Sequence, residues 1–120
     1  MAAFNYIETE GRCPACHTRS IVRAQTHVAS SFDGDSSGRF CDRTYKLGDE
    51  MAWWPPADGR CEEWHFDADP HARPAVREAC YATCTHCRAE LCMVLEFQAL
   101  RPTQVISITH EEDWPSGYLR

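Results

Sequence analysis

Two Cys-x-x-Cys pairs, Cys13-Pro14-Ala15-Cys16 and Cys84-Thr85-His86-Cys87, stand near the two ends of the chain. Each pair places two thiols on one tight turn, where both can reach a single metal ion. Two such turns facing each other complete a tetrahedral site, and four thiolates at one ion leave no position open for substrate. In a chain of 120 residues such a site makes energetic sense. A domain of this size is near the small end of what buries a self-sufficient core. Zinc binding to a folded site contributes on the order of 10 kcal/mol, all of it linked to folding. The expectation is one structural Zn2+ per chain, held by Cys13, Cys16, Cys84 and Cys87.

Composition narrows the class further. With 43% hydrophobic and 25% charged residues the chain reads as one globular domain over residues 1–120, with 111–120 as a loosely attached tail. No run approaches the roughly 18 apolar residues of a membrane span, so no membrane partner is expected. The N-terminus, Met-Ala-Ala-Phe-Asn-Tyr-Ile-Glu, carries neither a basic nor an apolar leader region. Eight cysteines without an export signal point to metal ligation in a reducing cytoplasm rather than to disulfides. A net charge of -6 argues against a nucleic-acid partner, which requires clustered Lys and Arg. Most of that charge is local: residues 41–70 hold eight acids against three bases, Arg43, Lys46 and Arg60.

Hydropathy patterning predicts a mainly β domain with an antiparallel sheet and at most one short helix. Residues 3–9 read as a short strand entering the first Cys pair. Val22, Ala24, Thr26 and Val28 alternate with Arg23, Gln25 and His27, the period-2 signature of a half-buried strand. After the turn-forming stretch 31–38, residues 39–46 are expected to return as its hairpin partner. Residues 61–66 suggest another strand, and the helix formers of 70–82 a short helix after Pro74. The clearest strand follows the second Cys pair, where Leu91, Met93, Leu95, Phe97 and Ala99 alternate with Cys92, Val94, Glu96 and Gln98. The tight connection 100–103 then leads to a strand over 104–109.

A Cys-x-x-Cys turn followed directly by a β-hairpin resembles the zinc-ribbon arrangement. More loosely, the chain resembles small bacterial zinc-ribbon proteins of unassigned function that carry a Tyr-x-x-Gly-Asp segment between their knuckles, here Tyr45-Lys46-Leu47-Gly48-Asp49. The resemblance implies a bound zinc and a β-rich fold, and implies no activity. The 67 residues between Cys16 and Cys84 make the site the clasp of a larger inserted sheet. Knuckles of this kind often place Gly after the second Cys, where His17 and Arg88 stand here.

Other constellations yield less. Cys41, Cys61, Cys80 and Cys92 lack a second pair of knuckles and read as packing residues. Asp33-x-Asp35-x-Ser37-Gly38 begins like a calcium loop, but Thr44 occupies the twelfth position, and a turn is the better reading. No nucleophile elbow, P-loop, dinucleotide fingerprint or His-Glu-x-x-His motif is present, so catalysis is not expected. The acidic stretch with Trp53-Trp54-Pro55-Pro56 is the most binding-like feature, because Trp is enriched at interface hot spots. If Trp53 and Trp54 lie on a strand, one of them faces outward. The expectation is a non-catalytic inhibitor or immunity-type protein that caps a basic protein partner through Asp49, Glu50, Trp53, Trp54, Asp58, Glu62 and Glu63. The rivals are a zinc-ribbon adaptor of a larger assembly and a metal enzyme or metal carrier.

Overall fold

A computed structural model describes residues 3–33, 39–55, 57–60 and 75–118. The chain is mainly β, with one curled six-stranded sheet in the order β3-β1-β2-β4-β5-β6. The strands are β1 (Asn5–Arg12), β2 (Arg19–Thr26), β3 (Thr44–Tyr45), β4 (Val76–Cys84), β5 (Glu90–Gln98) and β6 (Arg101–His110). Helix among the described residues is confined to 3-10 turns, at Glu111–Asp113 and at Gly59 and Arg60. None of the described residues forms a helix long and apolar enough to cross a membrane.

Two antiparallel hairpins build the sheet. β1 and β2 pair from Asn5↔Thr26 to Arg12↔Arg19, and β4 and β5 from Val76↔Phe97 to Thr83↔Glu90. The hairpins join through only three residue pairs, Val22↔Cys84, Arg23↔Thr83 and Ala24↔Ala82. β6 extends the second hairpin with two bulges. Period-2 patterning explains which face is buried. Ile7, Val22, Ala24, Cys80, Ala82, Leu91, Met93, Leu95 and Phe97 point into the concavity. The sheet curls until Gly11 in β1 meets β6, where an added Cβ would lie 2.6 Å from the Ile108 Cδ1.

Phe40, Met51, Trp53 and Trp54 of the segment 40–54 pack into the concavity, and here the sequence expectation needs correction. Residues 39–46 do not return along β2, because β1 and β4 already occupy both of its edges. Phe40 makes a single bridge to Ser31, and Thr44–Tyr45 pairs in parallel with β1, so the sheet is not purely antiparallel. Asn5 organises this crossing: its Nδ2 donates to the Ala29 and Phe40 carbonyls and its Oδ1 accepts the Arg43 N–H at 3.0 Å. The loop then covers the start of β6, with the Gly48 and Met51 N–H groups donating to the Pro102 and Leu100 carbonyls at 2.7 Å. Covering and bulging an edge strand is how sheets avoid pairing with other chains.

One further expectation is overturned. The segment after Pro74 is strand, not helix: Glu78, Cys80, Ala82 and Cys84 are buried in alternation, and eight pairings to β5 override the local propensity of Ala, Arg and Glu. Within the described part of the tail, Trp114 packs on Tyr81 with ring centroids 4.7 Å apart. The strand expected over 61–66, the turn at 34–38 and the residues Cys61, Glu62 and Glu63 lie outside the described residues.

Candidate metal centre

Each hairpin ends in a Cys-x-x-Cys turn, and the two turns are built alike. In the first, the Cys13 N–H donates to the Thr18 carbonyl at 3.1 Å and the His17 N–H to the Cys13 carbonyl at 2.9 Å. In the second, the Cys84 N–H donates to Ala89 at 3.1 Å and the Arg88 N–H to Cys84 at 2.9 Å. Both turns close through a left-handed residue, His17 at φ 59° and Arg88 at φ 65°. That is the conformation glycine adopts without strain, which accounts for the glycine expected there. The likeness extends beyond the turns: β1–β2 and β4–β5 are equivalent hairpins, a relation invisible in the side chains.

Pairing of β2 with β4 brings the turns together. Val22 lies opposite Cys84, and Thr85 locks the second turn to the first hairpin by donating to the Ile21 carbonyl from its N–H at 3.0 Å and its hydroxyl at 2.7 Å. As a result the sulfurs of Cys13, Cys16, Cys84 and Cys87 all lie within 4.8 Å of one another. Cys13 and Cys87 are 3.7 Å apart and Cys16 and Cys84 are 4.0 Å apart. A tetrahedron with metal–sulfur bonds of about 2.3 Å requires sulfur–sulfur edges of about 3.8 Å. The cluster therefore has the donors and the spacing to hold a metal ion. No disulfide joins any of the described cysteines.

The surroundings act unequally on the thiols, lowering Cys84 and Cys16 and raising Cys87. The Ser20 hydroxyl, 3.2 Å from the Cys84 sulfur, and the Cys87 amide hold the Cys84 thiol down to about 6. The Thr18 amide lowers Cys16. The Ala89 amide favours ionised Cys87, but desolvation and hydrogen bonds with Cys13, Cys84 and Cys16 outweigh it and push Cys87 up to about 11. A divalent cation bound at the cluster displaces the proton that Cys87 holds. Among the described residues these four cysteines are the group able to hold a metal. Cys41, Cys80 and Cys92 are buried apart from it.

The expected partner surface is rearranged. Trp53 and Trp54 are both buried, at 9% and 4% exposure. The segment is not a strand, so the alternation expected of one does not apply. Both rings pack with Phe40, with ring centroids 4.8 to 5.5 Å apart. Asp49 and Glu50 are exposed and Asp58 is half-buried, each with a local partner. Asp49 accepts the Lys46 N–H at 2.8 Å, Glu50 faces Arg101 at 3.3 Å, and Asp58 faces Arg60 at 2.7 Å. Three Arg60 hydrogen bonds, two from the side chain and one from the backbone, hold the Asp58 carboxyl down to about 2.

The opposite face of the sheet carries a cleft of about 790 Å³ that the sequence reading missed, lined in part by Tyr6, Arg23, Tyr81, Thr83 and Arg88. The Arg23 guanidinium stacks 3.6 Å over the Tyr6 ring and reaches Glu8 at 3.5 Å. Its signal is the outward half of the strand alternation, Arg23 and Gln25 beside Tyr81 and Thr83. No family model, curated protein or solved structure matches the chain.

Proposed function

We infer that the chain is a non-catalytic, zinc-stabilised protein-binding domain of zinc-ribbon-like construction, acting as an inhibitor or immunity-type protein on a basic partner. The observation that carries the reading is the closed cluster of four cysteines. Zinc suits it because a d10 ion takes tetrahedral thiolate coordination without geometric preference or redox chemistry of its own. Cys13, Cys16, Cys84 and Cys87 fill all four positions, so the metal clasps the two hairpins and has none left for substrate.

Binding is supported by the net charge of -6 and by the loop that bears Asp49, Glu50 and Asp58. The Phe40–Trp53–Trp54 cluster anchors this loop from beneath, so its acids are held in place before any encounter. A preorganised acidic surface steers a basic partner and loses little entropy on docking. The test is affinity capture with the full chain, paired with metal analysis of the same preparation. Close to one zinc per chain and one-to-one recovery of a basic protein whose activity is silenced support the reading. Recovery of a multisubunit assembly favours an adaptor, and recovery of a nucleic acid or a metabolite overturns the reading.

A further inference from the structure

The four sulfurs are unequally sheltered. Cys13 and Cys84, the first cysteine of each turn, are fully buried, whereas Cys16 is half-buried and Cys87 is exposed. A small reagent arriving from solvent meets Cys87 first. Behind it, 3.7 Å away and on the other hairpin, lies the Cys13 sulfur.

The geometry points to an oxidative modification site, resting on the metal reading above: a hydroperoxide oxidises Cys87, Cys13 resolves it, and a Cys13–Cys87 disulfide replaces the metal as the clasp. In the first step the Cys87 sulfur attacks a peroxide oxygen. The S–O bond forms, the O–O bond breaks, and hydroxide leaves and takes up a proton. In the second step the Cys13 sulfur attacks the sulfenic sulfur of Cys87. The S–S bond forms, the S–O bond breaks, and a second hydroxide leaves as water. Two thiolates lose two electrons, the peroxide gains them, and two protons are consumed. The ion keeps only Cys16 and Cys84, half of its donors, and dissociates.

What distinguishes this site is that the near pair spans the hairpins. The hairpins share only three ladder pairs, so a clasp at their turn ends reinforces a sparse backbone junction. A bond from Cys13 to Cys87 supplies one after the metal has gone. Oxidation therefore releases the ion and preserves the fold, whereas chelation of the reduced chain does not preserve it.

The experiment uses the full chain carrying Cys61→Ser, which removes the cysteine outside the described residues. Reduced, metal-loaded protein is treated with hydrogen peroxide. Released metal is read with a chromophoric chelator, disulfides are mapped by mass spectrometry of unreduced digests, and the β signal is followed by circular dichroism. The expected result is metal release in step with a Cys13–Cys87-linked peptide, the β signal retained, and reversal by dithiothreitol with added zinc. Brief alkylation of the metal-loaded protein should label Cys87 before Cys13, Cys16 or Cys84. Metal retained after peroxide, a Cys13–Cys16 or Cys84–Cys87 bond, or loss of the β signal on oxidation each overturns the inference. A preparation without metal before peroxide is added overturns the metal reading itself and this inference with it.

Discussion

The Thr26 hydroxyl donates to the buried Glu78 carboxylate at 2.6 Å, across the point where β2 and β4 part. The ladder between those strands ends at Ala24↔Ala82, and Glu78 takes over where the backbone stops pairing. Its second oxygen accepts the His27 N–H at 3.0 Å, and the Thr26 oxygen in turn accepts the Val28 N–H at 3.0 Å. Replacing Glu78 with Ala leaves the buried Thr26 hydroxyl and the part-buried His27 N–H without their acceptor, so Glu78→Ala should lower stability by about 3 kcal/mol. Glu78→Gln keeps one acceptor and should lose less. Urea melts of the two variants check this, and equal losses would show that the carboxylate is not acting as a two-sided acceptor.

The same carboxylate gives the fold a pH dependence. The His27 Nδ1 lies 3.5 Å from Glu78, and that hydrogen bond raises the imidazole above its ordinary value. A group whose proton is held more tightly in the folded state stabilises the fold at pH below its unfolded value, about 6.5. That contribution is lost as pH rises through the elevated folded value. Wild type should therefore exceed His27→Gln in Tm most on the acidic side, and the two should converge at alkaline pH. Comparing the variants at each pH cancels the acid sensitivity of the metal site. The difference should be small, because the imidazole is 43% exposed.

The left-handed residues of the two turns make a separate prediction. His17 and Arg88 hold φ near 60° with a Cβ present. An L residue in that region carries strain of about 1–2 kcal/mol, partly offset by glycine's greater unfolded-state freedom. Arg88→Gly and His17→Gly should each raise stability by about 0.5–1 kcal/mol. Arg88→Val, with a branched Cβ in the same conformation, should lower it. Thermal melts of metal-loaded protein decide the order.

The four-cysteine cluster was legible because a Cys-x-x-Cys turn is a local feature whose chemistry survives any fold. The strand over 90–98 was legible because Leu91, Met93, Leu95 and Phe97 alternate cleanly. What was not legible depended on distant partners. Residues 76–84 carry helix-forming side chains, and the pairing with β5 and β2 makes them a strand. The parallel contact of β3 with β1 and the burial of Trp53 and Trp54 arise from a loop folding back into the sheet's concavity, which no local period encodes. The clamp at Glu78 had one signal: counted inward from Cys84 by twos, Ala82 and Cys80 lead to a glutamate in a buried register. A charged residue there calls for partners on the neighbouring strand.

Burial of Phe97 next to a half-exposed Glu96 tests the register of β5. Phe97 is 1% exposed, and Phe97→Ala should reduce stability by about 3–5 kcal/mol. Glu96 meets Arg77 at 2.9 Å and Gln104 at 2.7 Å on the other face. Glu96→Ala should reduce stability by about 1 kcal/mol or less. Denaturant melts that reverse the order would contradict the register.

The acidic loop separates a binding role from a structural one residue by residue. Glu50 is the informative position, since its side chain is 65% exposed and its ion pair with Arg101 is held at the surface. Glu50→Lys should leave Tm nearly unchanged, slow association with a basic partner and flatten the salt dependence of that rate. Asp49→Lys confounds the two roles, because Asp49 Oδ2 accepts the Lys46 N–H at 2.8 Å and the turn loosens without it. Trp54→Ala marks the structural extreme. With the ring buried against Phe40 at 4.9 Å, its removal should lower stability by about 3–5 kcal/mol and weaken binding only through the loop it supports. Stopped-flow association and thermal melts on the same three variants resolve these cases. A Glu50→Lys chain that binds at the wild-type rate across salt would move the interface away from this loop, towards the cleft between Tyr6 and Tyr81.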